Sequence, residues 1–352
     1  MNRILKLALG VAAGASLVMQ MPARADEVAD FYRGKTFTMI VGYSAGGGYD
    51  LYARAISRHI GKHIPGNPTV IVNNMPGAGS VASANYLYAV APKDGTVIAT
   101  FSRGLPMEPL IGTAKVQYDA TKLTWIGSAS NEVSVCAVMP RAVVKNWADF
   151  LTKESTLGGE AAGSDPDTYA LMVRGIFGAK LKIVTGYPGG NDMTLAAERG
   201  EVDGRCGWSW SSIKATRPDW VSGPNKLSVL VQLGLERSAD LPDVPSAYEL
   251  AKTDADKAII RLIVGRQVIA RPFAAPPGIP PARRDALRKA FMETLSDPAF
   301  LAEAKAMSLE IAPVSGEDAA KLIADIYAAP REVIEQARSI LSGGADRNLK
   351  KD

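Results

Sequence analysis

Reactive and metal-binding residues are scarce in this sequence: of 352 residues, two are histidine, His59 and His63, and two are cysteine, Cys136 and Cys206. Neither cysteine has a histidine or second cysteine at ligand spacing, so no metal site is expected. Runs of lysine and arginine are also missing, which argues against nucleic acid or an anionic membrane as the main partner. Past residue 25 no apolar stretch approaches the ~20 residues that a bilayer-spanning helix needs, and no stable membrane anchor is expected there. No internal repeat or low-complexity tract interrupts the chain.

What is present begins with an export signal. Arg3 and Lys6 give a positive start, Leu7 to Met19 is an almost unbroken apolar run, and Ala23, Arg24 and Ala25 put small residues at the spacing signal peptidase reads. Cleavage after Ala25 is expected; it removes Arg3, Lys6 and Arg24 and so lowers the formal charge from +4 to +1. The remaining 327 residues can bury a sizeable core and suggest about two domains. Both cysteines then reach an oxidising compartment, where they form either one disulfide or two buried free thiols.

From Tyr32 onward short apolar strands alternate with helical patterns, the signature of a parallel sheet covered by helices. Thr36 to Val41, Val70 to Val72 and Val97 to Phe101 read as strands, with helices from Asp50 to Lys62 and Ser80 to Val90 between them. Val133 to Met139, Glu160 to Gly163, Lys182 to Thr185 and Val202 to Gly207 repeat the rhythm as a second α/β unit. Leu227 to Leu233 reads as a returning strand, and a Pro-rich stretch, Arg271 to Pro281, leads into two amphipathic helices, Pro281 to Leu295 and Gly316 to Ile340. Two such units joined by crossing segments leave a cleft between them, a favoured place for a ligand.

The most informative stretch is Gly42 to Asp50, a glycine turn between a strand and a helix. Glycines there let main-chain N–H groups approach a ligand, and the helix N-terminus supplies unpaired donors with a partial charge of ~0.5 e, so the natural guest is an anion. Asp50 is better read as the cap of its own helix. A second turn, Asn74 to Ser80, has the same logic. Gly42, Ser44 and Gly46 also fit the G-x-S-x-G elbow of serine hydrolases, but both histidines fall in or just after the helix that follows the serine, and no base exists later in the chain. Gly77, Gly79 and Ala82 mimic a dinucleotide fingerprint without its acidic residue, so no cofactor is expected.

These turns, in this order, resemble the solute-binding receptors of the tripartite tricarboxylate transporters, and the resemblance runs over essentially the whole mature chain. It rests on Gly46 to Asp50 with Ala53 and Arg54, on Asn74 to Gly79, on Pro92 to Thr96, on Leu241 to Ser246 with Glu249, and on Pro276 to Leu287. It implies an α/β type II periplasmic-binding fold: lobe 1 from residues 26–128 and 229–352, lobe 2 from 129–228, closing around a small organic carboxylate. It further implies a periplasmic, monomeric, non-enzymatic receptor that serves a membrane permease. Carried over by position, Tyr43, Ser44, Ala45, Gly46, Gly47 and Gly48 form the first-lobe wall with Gly77, Ala78, Gly79 and Ser80, and Ser102 and Arg103 stand near its rim. Gly163, Ser164 and Asp165, then Tyr187, Gly189 and Asn191, face them from the second lobe, and Trp208 and Ser209 complete the wall. Ser44 and Ala45 stand where relatives carry prolines, and Asp165 Pro166 Asp167 replaces a more neutral loop. Arg103 either grips a second carboxylate or makes a surface salt bridge; Trp208 and Trp210 either stack on an aromatic acid or pack in the core.

Overall fold

A computed structural model describes residues 24–112 and 116–342, so the expected signal segment lies outside it except for its last two residues. After α1 (Arg24–Tyr32), the chain lays down β1 (Thr36–Val41), α2 (Gly48–Ile60), β2 (Thr69–Asn74), α3 (Val81–Ala89) and β3 (Val97–Thr100). β1 pairs in parallel with both β2 and β3. Its side chains alternate between two cores, as a central strand requires. Phe37, Met39 and Val41 pack with Tyr52 and Ile56 of α2, while Ile40 packs with Val81, Ala84 and Leu87 of α3. A short α4 (Glu108–Ile111) and β4 (Thr124–Ser128) end this first pass.

The second unit consists of β5 (Ser134–Val138), α5 (Trp147–Thr152), β6 (Ser155–Gly158), α6 (Asp165–Phe177), β7 (Leu181–Val184), α7 (Gly190–Arg199), β8 (Gly204–Ser209), α8 (Trp210–Thr216), β9 (Ser228–Leu233), α9 (Ala247–Leu250) and α10 (Asp254–Val264). The chain then returns through β10 (Pro272–Ala275), α11 (Pro281–Ser296), α12 (Pro298–Ala306), β11 (Val314–Ser315), α13 (Gly316–Tyr327) and α14 (Arg331–Leu341). The six-stranded first sheet has the order β11-β4-β10-β3-β1-β2 and the five-stranded second sheet the order β7-β6-β8-β5-β9. Both sheets are mixed rather than parallel throughout, because β10 runs antiparallel to β3 and β4, and β5 antiparallel to β8 and β9.

Three sequence expectations change. The strand expected at Glu160 to Gly163 lies earlier, at β6, because Ser155 to Gly158 pair with β7. Glu160 itself is loop, its N–H donating to Asp167 Oδ2 at 2.7 Å and its carbonyl accepting from Gly186 N–H at 2.9 Å. The single helix expected from Gly316 to Ile340 is broken into α13 and α14 by Pro330, whose ring removes an N–H donor and disfavours helix in the residue before it. β9 pairs with β5, so the chain re-enters the first sheet only at β10 rather than at residue 229.

The two crossings between sheets run side by side as a short ladder: Ala129 N–H donates to Arg271 O at 3.0 Å, Ala270 N–H to Ser130 O at 3.0 Å, and Glu132 N–H to Gln267 O at 3.1 Å. Among the described residues no helix is long and apolar enough to cross a membrane.

Cys136 on β5 and Cys206 on the neighbouring β8 are bonded as a disulfide, and both are fully buried. The bridge closes a sequence separation of 70 residues. On the chain-entropy model, replacing both cysteines by alanine should lower the unfolding free energy by about 4 kcal/mol. Denaturant melts of the oxidised protein and the double variant check this; equal stability would contradict it.

Candidate functional site

The first glycine turn owes its shape to one acid. Asp50, in the first turn of α2, accepts from Gly46 N–H at 2.9 Å and Arg54 Nε at 2.9 Å through Oδ2, and from Asn74 Nδ2 at 2.8 Å through Oδ1. Burial opposes ionisation of this carboxyl, and the hydrogen bonds from Arg54, Gly46 and Asn74 more than offset it, so its pKa sits below the ordinary value. Asn74 also donates to Tyr43 O at 2.9 Å, which ties the end of β2 to the turn after β1. Gly46 has φ +83°, a conformation side chains resist, and a Cβ on Gly48 would collide with Ser212 of α8. The turn therefore brings the N-terminus of α2 against the opposite lobe.

Two further helices point their starts at the same place. α6 begins at Asp165 after Ser164, and α7 begins at Gly190 after Gly189. No side chain caps α2 or α7, so their first N–H groups remain available as donors. The lobes touch across this gap: Ser44 N–H reaches Pro188 O at 3.4 Å, and Ser44 Oγ donates to Asp192 Oδ2 at 2.5 Å.

The cavity, about 50 Å³, is walled by the first turn, by Arg103 and Arg271, and by the second lobe. Of the residues expected from sequence it brings together Tyr43, Gly46, Gly47, Gly48 and Arg103 with Asp165, Asn191, Trp208 and Ser209. The others lie off the wall. Ala45 is exposed, and Ser44 and Gly189 meet in the contact between lobes. Gly77, Ala78, Gly79 and Ser80 all have positive φ and form a second interlobe contact, in which a Cβ on Gly79 would come 2.9 Å from Ser164. Ser102 is buried beneath them, its N–H donating to Ser80 Oγ at 3.3 Å. Gly163 abuts Glu108, and Tyr187 packs in the apolar cluster around Trp208, Trp210 and Trp220. Trp210 is likewise a core residue, with Nε1 donating to Asp240 at 3.2 Å.

Sequence reasoning missed Tyr49, Glu160, Thr194, Arg205, Ser212 and Arg271, which also line the cavity. The available signal was Arg205 itself, a charged residue between Gly204 and Cys206 in a short strand, where arginine is rarely buried unless it has work to do.

Arginine dominates the electrostatics. Arg103 is 1 % exposed, so it makes no surface salt bridge. It pairs with Asp165, and donates to Gln267 Oε1 at 2.6 Å, Ser209 Oγ at 2.8 Å and Ser134 Oγ at 3.2 Å, which engages every arm of the guanidinium. Arg266 Nη2 lies 3.2 Å from Asp165 Oδ1 without hydrogen-bond alignment, and Arg271 Nη2 lies 3.0 Å from Glu132 Oε2 in the same manner. Burial works against the Asp165 charge, but Arg103 and Arg266 hold its pKa low. Arg205 rests over the Trp208 ring at 5.4 Å and donates to Gly207 O at 3.1 Å, while its buried Nε has no partner. Beside it, Glu160 is pushed up to about 8, chiefly by burial, with Arg205 opposing and Asp165 and Asp167 reinforcing. Four buried guanidiniums thus share this region with the buried carboxyls of Asp165, Glu132, Asp167 and Glu108; Arg103, Arg266 and Arg271 lie within ion-pair distance of Asp165 or Glu132, and Arg205 makes no such pair among the described residues. A site of this kind can take an anion.

Comparison with known proteins agrees with this geometry. The family model for the tripartite tricarboxylate transporter family receptor matches residues 53–338. A Cupriavidus necator protein, "UPF0065 protein in gbd 5'region", is 24% identical over 343 residues, covering 95% of this chain and 96% of that one. Among solved structures, the periplasmic binding protein BugD superposes with a TM-score of 0.68 at 19% identity, over 89% of this chain and 98% of its own. MatC from Rhodopseudomonas palustris, solved with bound malate, gives 0.67 at 19% identity over 87% and 99%. A second R. palustris protein, solved with adipate, gives 0.67 at 18% over 86% and 97%. These likenesses establish the two-lobed α/β fold of periplasmic binding proteins.

Asp50→Ala would strand the Gly46 N–H and the Asn74 amide without their acceptor, at a cost of about 1–3 kcal/mol. Because the folded-state pKa of Asp50 is depressed, the stability it contributes is present above its unfolded value and is lost as pH falls through the folded one. Melting of wild type and variant at neutral and acid pH checks both points: the gap between them should narrow in acid, and a constant gap would contradict the assignment.

Proposed function

This chain belongs to the tripartite tricarboxylate transporter receptor family, and from that premise we propose that it is a periplasmic receptor that captures a small organic carboxylate and delivers it to the family's membrane permease. The observation that carries the reading is Arg205, buried with an unpartnered Nε and no carboxylate paired to it among the described residues, in a cavity that also holds the uncapped starts of α2 and α7. Neutral main-chain donors and one free guanidinium edge suit a carboxylate, which a charged hydrogen bond holds more strongly than a neutral one. In this reading the acid first meets the turn after β1 on the open first lobe. The second lobe then closes, and Ser44 reaches Pro188 and Asp192. The ligand shifts the balance toward closure only by binding that state more tightly, and the closed form is what the permease recognises. Export with cleavage after Ala25 and a monomeric working state belong to the same proposal. Malate and adipate, bound in two proteins of similar fold, make aliphatic di-acids a sensible starting point.

The rival reading, a serine hydrolase built on Ser44, finds no base. Ser44 Oγ donates to an aspartate across the cleft, while His59 and His63 bond Glu303 at 2.6 Å and Asp297 at 2.9 Å at the far end of α2.

Thermal-shift measurements on residues 26–352 against mono-, di-, tricarboxylic and aromatic acids test the proposal. A ligand at ~100 times its Kd should add about 2.7 kcal/mol of stability. Arg205→Ala should weaken the best acid about 10- to 100-fold, since a hydrogen bond to a charged group is worth about 1.5–3 kcal/mol. Flat curves across every acid would sink the receptor reading. Loss of an ester-hydrolysing turnover in Ser44→Ala would replace it with the rival.

A further inference from the structure

We propose that Glu160 enters the binding site as a neutral carboxylic acid and donates a hydrogen bond to the captured anion, so that each anion is held together with one proton. The inference deepens the receptor reading and rests on it. Glu160 lines the cavity, is 7 % exposed, and its Oε2 has no partner. An unprotonated carboxylate in that position would turn a bare negative oxygen toward the guest and compete with it for Arg205. Protonated, the same oxygen becomes a donor, and Arg205 stays free for the anion.

Burial, reinforced by two neighbouring carboxylates, favours the neutral form of Glu160. Arg205 from β8 is its one cationic neighbour, and burial weakens that residue's own hold on charge. Asp165 and Asp167, at the start of α6, present negative charge, while the Tyr43 hydroxyl, from the turn after β1, favours the charged form as Arg205 does and is outweighed by burial. The pKa of about 8 means that the side chain is mostly protonated at neutral pH. A bound anion adds another negative charge beside it and raises that value further, and by reciprocity the proton tightens the anion.

Calorimetric titration of wild type and Glu160→Gln with malate and with adipate, from pH 6 to pH 9 and in two buffers of different ionisation heat, tests the link. For a group titrating near pH 8, wild-type Kd should rise about tenfold between pH 7 and pH 9, with close to one proton taken up per anion at the upper end. In Glu160→Gln, which keeps a donor that cannot titrate, Kd should change by less than about twofold over the same range. Ligand-free melts give a second readout. A carboxyl whose folded pKa is raised contributes stability that is full below its unfolded value and lost as pH rises through about 8, so wild type should lose stability from pH 7 to pH 9 relative to the variant. Binding that stays flat with pH in wild type, or that falls equally in both proteins, would overturn the proton link and leave the receptor standing. Failure of both acids to bind either protein at any pH would overturn the receptor reading for these acids, and this inference with it.

Discussion

A guanidinium does not give up its proton, so burying one commits a fold to supplying negative charge around it. Here four of them, Arg103, Arg205, Arg266 and Arg271, are sunk where the two lobes cross. Asp165 and Glu132 are spent on three of the four. Arg205 is left with an idle edge at the cavity, the place where the proposed anion would find a partner.

That arrangement couples binding to shape. Arg103 follows a first-sheet strand and Asp165 opens a second-lobe helix, so their buried pair spans the cleft and exists only with the lobes together. Arg271 and Glu132 stand on the two crossing segments, whose main chains are hydrogen-bonded to each other, which is where the proposed closure would hinge. Breaking a buried ion pair on opening is tolerable where water can enter and solvate both partners. The glycine turns complete the design differently from each other. The first lines the cavity, while the second, with four consecutive positive φ values, packs against Ser164 of the other lobe.

How much of this was legible follows from how local each feature is. The turn after β1 could be read because glycine spacing, strand end and helix start are neighbours in sequence, whereas Asp50, expected to cap α2, instead holds the turn before it through Gly46 N–H. The second turn had an equally clear pattern, but which surface it faced depended on the lobe opposite. Arg205 and Arg271 went unread as site residues because a strand register and a crossing ladder, both long-range, decide where they point. The cysteine pair was undecidable for the same reason, since only the sheet order places β5 beside β8. The helix break at Pro330 was local and available from the proline alone. The β6 shift shows the reverse case: Glu160 to Gly163 looked apolar enough for a strand, yet Glu160 is a buried polar loop residue that the pattern of hydrophobicity cannot distinguish.

The central claim, that the cleft holds an organic anion against the unpartnered edge of Arg205, is tested most directly by a crystal structure of the mature protein grown with whichever acid most raises its melting temperature. The account predicts a carboxylate between Arg205 Nε and the first main-chain N–H groups of α2 and α7, each within ordinary hydrogen-bond distance. An acid seated elsewhere, with the cavity shut and Arg205 satisfied by the protein's own side chains, would contradict it.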